Sequence, residues 1–214
     1  MKGLQSMRQA DVCVVRHGET AWSVTGQHTG LTDLALTPGG EEQARGLAQS
    51  LAREGFANVF SSPLLRARRT SALAGFEARA VLDPDLVEWD YGEYEGRTLA
   101  QIHSLNPEWE LFRDGCPGGE SVAAIAARAD RIVSRLRSLE GKSLIFSSGH
   151  LLRVLAARWL DANASLGRGL LLDPASISVL GYDHNGVDPV IRRWNHASRE
   201  ISENSLTATK TVMR

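Results

Sequence analysis

Arg16-His17-Gly18-Glu19-Thr20 follows directly on the apolar run Val12-Cys13-Val14-Val15. A guanidinium beside an imidazole makes a site for an oxyanion next to a nucleophile or proton carrier: arginine's fork matches two oxygens, and a neutral imidazole keeps a lone pair near pH 7. Three further stretches have a related make-up: Ser61-Ser62-Pro63 with Arg66, Glu88 ahead of Trp89-Asp90-Tyr91-Gly92, and Ser148-Gly149-His150. Each also has a plainer reading. Arg66 begins a run with Arg68 and Arg69 that suits a solvated helix face. Glu88 competes with Asp90, Glu93 and Glu95 for the role of working carboxyl, and His150 suits a cap at a helix start.

The elements around these stretches place them. Val12–Val15 reads as a buried strand, and the glycine and polar residues after it as the loop at its C-terminal end. In open α/β sheets that end is where ligands bind. Asn58–Ser61 and Ser143–Ser147 are strands of the same construction, each running into a polar turn; a helix opens at Ser62-Pro63 and continues to about Ala74, and another covers 150–160. Carboxyl ends of parallel strands lie along one edge, so the polar turns can converge. After a long polar loop, 17–36, Thr37 as N-cap and Pro38 in the first turn start a helix whose Ala44, Leu47, Ala48 and Leu51 share a face and which Gly55 ends. A third strand is expected at 79–82 and two short helices around 98–113. Val122, Ile125, Ala126, Ala129, Ile132, Val133 and Leu136 form a helical stripe with arginines opposite, and 176–182 with 189–194 make a hairpin-like strand pair. The alternation predicts an α/β fold: three layers, helices on both faces of a mostly parallel sheet, with one antiparallel edge strand. One domain is expected over 11–198, with loose tails at 1–10 and 199–214.

Composition narrows the function classes. Net charge is −1, so no global field recruits nucleic acid or an acidic membrane, and anion recognition must come from locally placed arginines. Lys2, Lys142 and Lys210 are the only lysines. Two cysteines, Cys13 and Cys116, give no disulfide framework, and without a signal-like leader or a run of 18 apolar residues the expectation is a cytoplasmic protein. There is no zinc-ligand spacing and no P-loop, so no metal or cofactor is expected. His28, His103, His184 and His196 show no pairing and read as surface or loop residues.

Taken together and in order, these stretches resemble the histidine phosphatase family, which includes cofactor-dependent phosphoglycerate mutases. Arg16-His17-Gly18-Glu19-Thr20-Ala21-Trp22 resembles its signature, Ser61-Ser62-Pro63 with Arg66-Ala67 and Thr70 its second motif, Glu88-Trp89-Asp90-Tyr91-Gly92 with Glu95-Gly96 its third, and Ser148-Gly149-His150 its fourth. The resemblance covers about 11–196. It implies His17 as the nucleophile that becomes phosphohistidine, Arg16, Arg66 and His150 as the phosphate clamp, and Glu88 as the proton donor. Gly26-Gln27-His28-Thr29-Gly30 matches the family's phosphate loop, which implies oxygen contacts from Thr29 and Gly30; Tyr91 joins them as a substrate contact. Ser23 stands where family members commonly have Asn, and its shorter hydroxyl is expected to donate to phosphate from another distance. The Trp-Ser and Gly-Gln-His-Thr-Gly forms are most similar to a phosphatase branch with sedoheptulose-bisphosphatase-like and broad-specificity acid phosphatase-like members.

What accepts the phosphoryl group separates the candidates. A mutase must hold a bisphosphorylated intermediate and exclude water. The stretch 98–120 carries only Arg113 as a base against Glu108, Glu110, Asp114 and Glu120, which suits that task poorly. Water should reach the phosphohistidine, and the expected activity is hydrolysis of small phosphomonoesters, sugar phosphates among them, since Trp109 and Phe112 suit a neutral polyol body. The alternatives are a phosphoglycerate mutase and a non-catalytic phosphate-binding module. The sequence leaves open whether the chain is a monomer or a homodimer.

Overall fold

In the computed structural model, which describes residues 10–184 and 186–197, six strands form one sheet: β1 (Val12–Arg16), β2 (Asn58–Ser61), β3 (Val81–Leu82), β4 (Ser143–Ser147), β5 (Ile177–Asp183) and β6 (Asp188–His196). Their order across the sheet is β3-β2-β4-β1-β5-β6. β1, β4, β2 and β3 pair in parallel, and β5 pairs antiparallel with β1 and with β6, so the antiparallel edge is the β5–β6 pair. Among the described residues, seven α-helices accompany the strands: α1 (Ala21–Thr25), α2 (Pro38–Leu51), α3 (Leu65–Leu73), α4 (Leu99–Leu105), α5 (Leu111–Asp114), α6 (Val122–Ser138) and α7 (Gly149–Trp159). The expected tails fall almost wholly outside the described residues. Among those described, no helix is long and apolar enough to cross a membrane.

Alternation along β1 builds the three layers, because successive strand side chains point to opposite faces. Val12 and Val14 pack with Ile125, Ile132, Leu151 and Leu155 of α6 and α7. Cys13 and Val15 pack on the other face with Leu47 and Leu51 of α2 and with Phe56 and Phe76. Both faces of β1 and β4 are therefore covered, as continuous apolar runs require.

The helix boundaries follow their caps. Thr37 Oγ1 accepts the Gly40 N–H at 3.0 Å with Pro38 at the first position, as the sequence predicts. The helix after Ser62-Pro63 begins later than expected, at Leu65: Ser62 Oγ accepts from Leu64 N–H at 3.3 Å, and Asp33 reaches across from the 17–36 loop to accept the Leu65 N–H at 2.6 Å. α1 lies within the stretch 17–36 that the sequence predicts to be loop. It has five residues and none is buried, so it leaves no periodic apolar signal. β3 has two residues, both exposed.

One arginine of α6 departs from the expected solvent face. Arg128 is 6% exposed and donates to the carbonyls of Asp85, Val87 and Glu88 and to the Glu120 carboxylate. It thereby fixes the irregular segment that carries Glu88. Removing one partner of a buried ion pair costs about 3–5 kcal/mol, and the partial exposure of Glu120 puts this one near the lower end. Arg128→Met should therefore lower the urea unfolding midpoint by about 1 M or more. A midpoint unchanged within error would show that the arginine does not hold this segment.

Candidate active site

The parallel pairing of β1 and β4 sets Arg16 opposite Ser147, which brings the turn after β1 beside the turn after β4. His17 continues the ladder. Its N–H donates to the Ser147 carbonyl at 2.9 Å, and its own carbonyl accepts the Ala175 N–H at 3.0 Å. The Gly18 N–H donates to Thr70 Oγ1 at 3.0 Å, which ties the turn to α3. A β-carbon on Gly18 would stand 2.4 Å from the Gly40 carbonyl oxygen, so only glycine lets the start of α2 approach this closely. His17 is 4% exposed, and its ring Nδ1 lies 2.8 Å from the Gly18 carbonyl oxygen. A carbonyl only accepts, so Nδ1 carries the hydrogen and Nε2 keeps the lone pair. Burial first, then the charges of Arg66 and Arg16, push the His17 pKa well below its usual value, and the imidazole stays neutral.

The ring opens on a cleft of about 190 Å³. Of the residues singled out in the sequence, Arg16, His17, Ser23, Thr29, Glu88, Tyr91 and His150 line it; Arg66 and Gly30 do not. Arg66 is fully buried and donates to the carbonyls of Thr29 (3.0 Å), Gly30 (2.7 Å) and Thr32 (2.9 Å), so it shapes the loop that carries Thr29. The Gly30 N–H points to the Glu95 carboxylate at 2.9 Å, which also accepts from Thr32 N–H at 3.1 Å. That answers the competition among carboxyls: Glu95 anchors the loop, Asp90 accepts the Gly92 N–H, and Glu88 alone of the four lines the cleft. Ser23 lines it too, but its hydroxyl closes a capping box with Thr20, accepting from the Thr20 N–H and donating to the Thr20 carbonyl. Arg16 donates to the Leu172 carbonyl, while its buried Nε has no partner among the described residues. An unmet buried donor costs about 1–3 kcal/mol, which an oxyanion at that atom would relieve. A β-carbon on Gly149 would lie 3.3 Å from the same guanidinium, so this glycine makes room for it.

Glu88 is held at the N-terminus of α7. Its Oε1 accepts from Trp89 and Leu151 N–H, both at 2.8 Å, and its Oε2 accepts from His150 N–H at 2.9 Å. Oε1 is thus saturated, and the position left for a proton is the second lone pair of Oε2. Tyr91 lies with its hydroxyl 2.5 Å from His150 Nδ1. Burial, then the charge of Glu88, raises the Tyr91 pKa well above its usual value; burial, then Arg153 and His28, lowers that of His150 well below its own. A protonated phenol facing a neutral imidazole donates to Nδ1, which leaves the hydrogen on Nε2.

The sequence reading assigned no role to His28, Arg153 or Leu172, which also line the cleft. His28 stacks on His150 with ring centroids 6.2 Å apart and holds the Arg97 carbonyl with Nδ1 at 2.9 Å. The loop stretch around it matches the family, but the role of His28 stays hidden because its partners come from residues 91–109 and from α7. Arg153 sits one helical turn after His150, a spacing that does put two side chains on one face.

The two depressed imidazoles have a consequence for stability. Each is neutral in the fold and takes up a proton near pH 6.5 when unfolded. Their contribution is fully present above that pH and is lost progressively as pH falls toward their folded values. The urea midpoint should therefore drop between pH 7 and pH 5, and His17→Asn with His150→Asn should flatten that slope. A slope unchanged in the double variant would mean that other groups carry it.

The sequence profile of the histidine phosphatase superfamily (branch 1) matches residues 12–197. An acid phosphatase of Mycobacterium tuberculosis is 38% identical, with 83% of this chain and 89% of that one covered. Sedoheptulose 1,7-bisphosphatase of Saccharomyces cerevisiae is 39% identical, with 68% of this chain and 66% of that one covered. A Photorhabdus laumondii protein named as a phosphoglycerate mutase is 32% identical, with 81% and 86% covered. A solved structure of the open reading frame Rv3214 of Mycobacterium tuberculosis superposes with a TM-score of 0.84 at 35% identity, over 89% of this chain and 100% of that one. Three of the motif stretches line one cleft and the second backs it through Thr70 and Arg66, which agrees with these matches: the chain belongs to the histidine phosphatase superfamily, branch 1.

Proposed function

We propose that this protein hydrolyses small phosphomonoesters through a phosphohistidine on His17. The observation that carries the proposal is the buried, neutral imidazole whose Nδ1–H is committed to the Gly18 carbonyl, leaving Nε2 free in a cleft shared with Arg16, Glu88 and His150. His17 Nε2 attacks phosphorus, the P–O ester bond breaks, and the departing alkoxide takes a proton from Glu88 Oε2. Water then attacks the phosphohistidine. Glu88 takes back a proton, the P–N bond breaks with its pair returning to Nε2, and phosphate leaves. The Gly18 carbonyl stabilises the charge that the ring gains in the first step. Arg16, His150 through Nε2–H, and Arg153 neutralise the equatorial oxygens, so the chemistry needs no metal ion. Arg66 acts from behind, by holding the Thr29 loop and by its charge on His17.

Hydrolysis is favoured over a mutase by the surroundings of Arg113, the lone base of 98–120. It is spent on the Asp114 carboxylate and the Glu108 carbonyl and lines neither this cleft nor its neighbour. The names of the mycobacterial and yeast relatives support a phosphatase, and the yeast name supports sugar phosphates within its range.

His17→Ala should abolish turnover while leaving the unfolding transition in place; near-full phosphatase activity in that variant would sink the assignment. Glu88→Gln should slow an alkyl phosphate about 10²–10⁴-fold and para-nitrophenyl phosphate far less, since only the alkoxide needs the proton. Equal slowing of both would remove Glu88 from the acid role.

Tyr91→Phe tests the tautomer of His150. Without the phenol, neutral His150 can lose the hydrogen on Nε2, whereas protonated His150 carries it regardless. His28, Arg16, Arg153 and Glu88 also face this ring or its phenol partner and are common to both proteins. The deficit in kcat against wild type should reach about tenfold at pH 8 and shrink only as the pH is lowered to the depressed folded value of His150. A deficit that is constant with pH would mean that the ring of Tyr91 only fills space.

A further inference from the structure

Beside the phosphate cleft lies a second compartment of about 280 Å³, walled mainly by Leu99, Trp109, Leu111 and Phe112 with His103, Glu110 and Arg168 beside them, and sharing His28, His150 and Arg153 with the cleft. We infer that it receives the organic group of the ester, and that it selects phosphomonoesters whose alcohol carries an apolar ring over polyols and bisphosphates. This rests on the phosphomonoesterase reading above and names its substrate class.

Several observations carry the inference. The two spaces adjoin across His28, His150 and Arg153, so a group attached to a phosphoryl held in the cleft has the compartment as its neighbour. Apart from the exposed Arg168, the polar atoms around the compartment are turned to the protein, with Glu110 Oε1 accepting the Phe112 N–H at 3.1 Å. His103 Nε2 is 3.0 Å from the Trp109 carbonyl, and Trp109 Nε1 donates to the Gly115 carbonyl at 2.7 Å. Arg153 spends Nε and Nη2 on the carbonyls of Gly167 and Arg168 and lays its guanidinium over the Phe112 ring, 4.7 Å from the centroid. A polyol placed here would bury hydroxyls with few partners, whereas an apolar ring loses nothing. Size agrees as well, since a cavity of about 150 Å³ lined by apolar side chains already takes benzene. Trp109 is 4% and Phe112 3% exposed, so neither offers an open face on which a sugar would stack, and sugar phosphates, which the yeast relative's name keeps in range, rank here below ring-bearing esters.

Leu99 gives the test. It is the first residue of α4, 49% exposed, and lines the compartment, so Leu99→Asn changes the wall without emptying the core. 2-Phenylethyl phosphate and ethyl phosphate are esters of primary alcohols of like acidity, so their chemical steps match and kcat/KM compares the organic groups. The wild-type ratio of kcat/KM, phenylethyl over ethyl, should be at least about tenfold, and in Leu99→Asn it should fall to about twofold. Glucose 6-phosphate and fructose 1,6-bisphosphate should rank below the phenylethyl ester. A wild-type ratio near one, a ratio kept in the variant, or a bisphosphate ranking first would overturn the inference while leaving the phosphatase reading intact. Release of phosphate from no ester in the panel would bring down both.

Discussion

The register of β1 against β4 is the constraint on which the site depends. With Arg16 opposite Ser147, the two strands end together, and the turn carrying His17 lies beside the turn carrying Ser148, Gly149 and His150. A one-residue slip would send every side chain of β1 to the other face. Val12 and Val14 would then leave the α6–α7 layer for the α2 layer, and the imidazole of residue 17 would no longer open on the cleft. The apolar runs on both faces thus do more than stabilise the sheet. By making one register far better than its neighbours, they set two imidazoles in one cleft although the chain between them exceeds a hundred residues.

From that placement follows a division of labour among charged groups. A helix N-terminus at a sheet edge is a ready anion site, yet the His150 and Leu151 N–H groups in the first turn of α7 are taken by the Glu88 carboxylate. Oxyanion recognition therefore falls to side chains, and arginines supply it from different depths. Arg16 stands in the cleft with Gly149 making room for it, Arg153 at its junction with the neighbouring compartment, and Arg66 behind the loop. Arg128 is a fourth, further back, holding the carbonyls of the segment that delivers Glu88. Desolvation completes the arrangement. The burial that sharpens these charges also keeps His17 unprotonated, which is the state a nucleophile needs.

What the sequence disclosed and what it withheld divide along physical lines. Features written in one contiguous stretch were legible: the β-branched run of β1, the Thr37-Pro38 start of α2, the long stripe of α6, and the order of the four polar turns. Features made by tertiary contact were not. Arg66 looked like a surface arginine or a phosphate ligand, and only the folded 29–32 loop shows its donors meeting carbonyls. Ser23 matched a phosphate-contact position, but three residues back Thr20 claims its hydroxyl for a capping box, a pairing visible only once α1 exists. His28 gains its place from rings at 91, 109 and 150. Arg153 is the exception, since its distance from His150 along α7 was there to be read.

The central claim is that a phosphoryl group passes through the ring of residue 17. It is tested most directly by reacting the protein with a phosphorus-labelled monoester, quenching in alkali within the first turnover, and mapping the label. The account predicts up to one label per chain, on Nε2 of His17, stable in base and lost in acid as a P–N bond requires. Label on His28, on His150 or on a hydroxyl, or a label that survives acid, would contradict it.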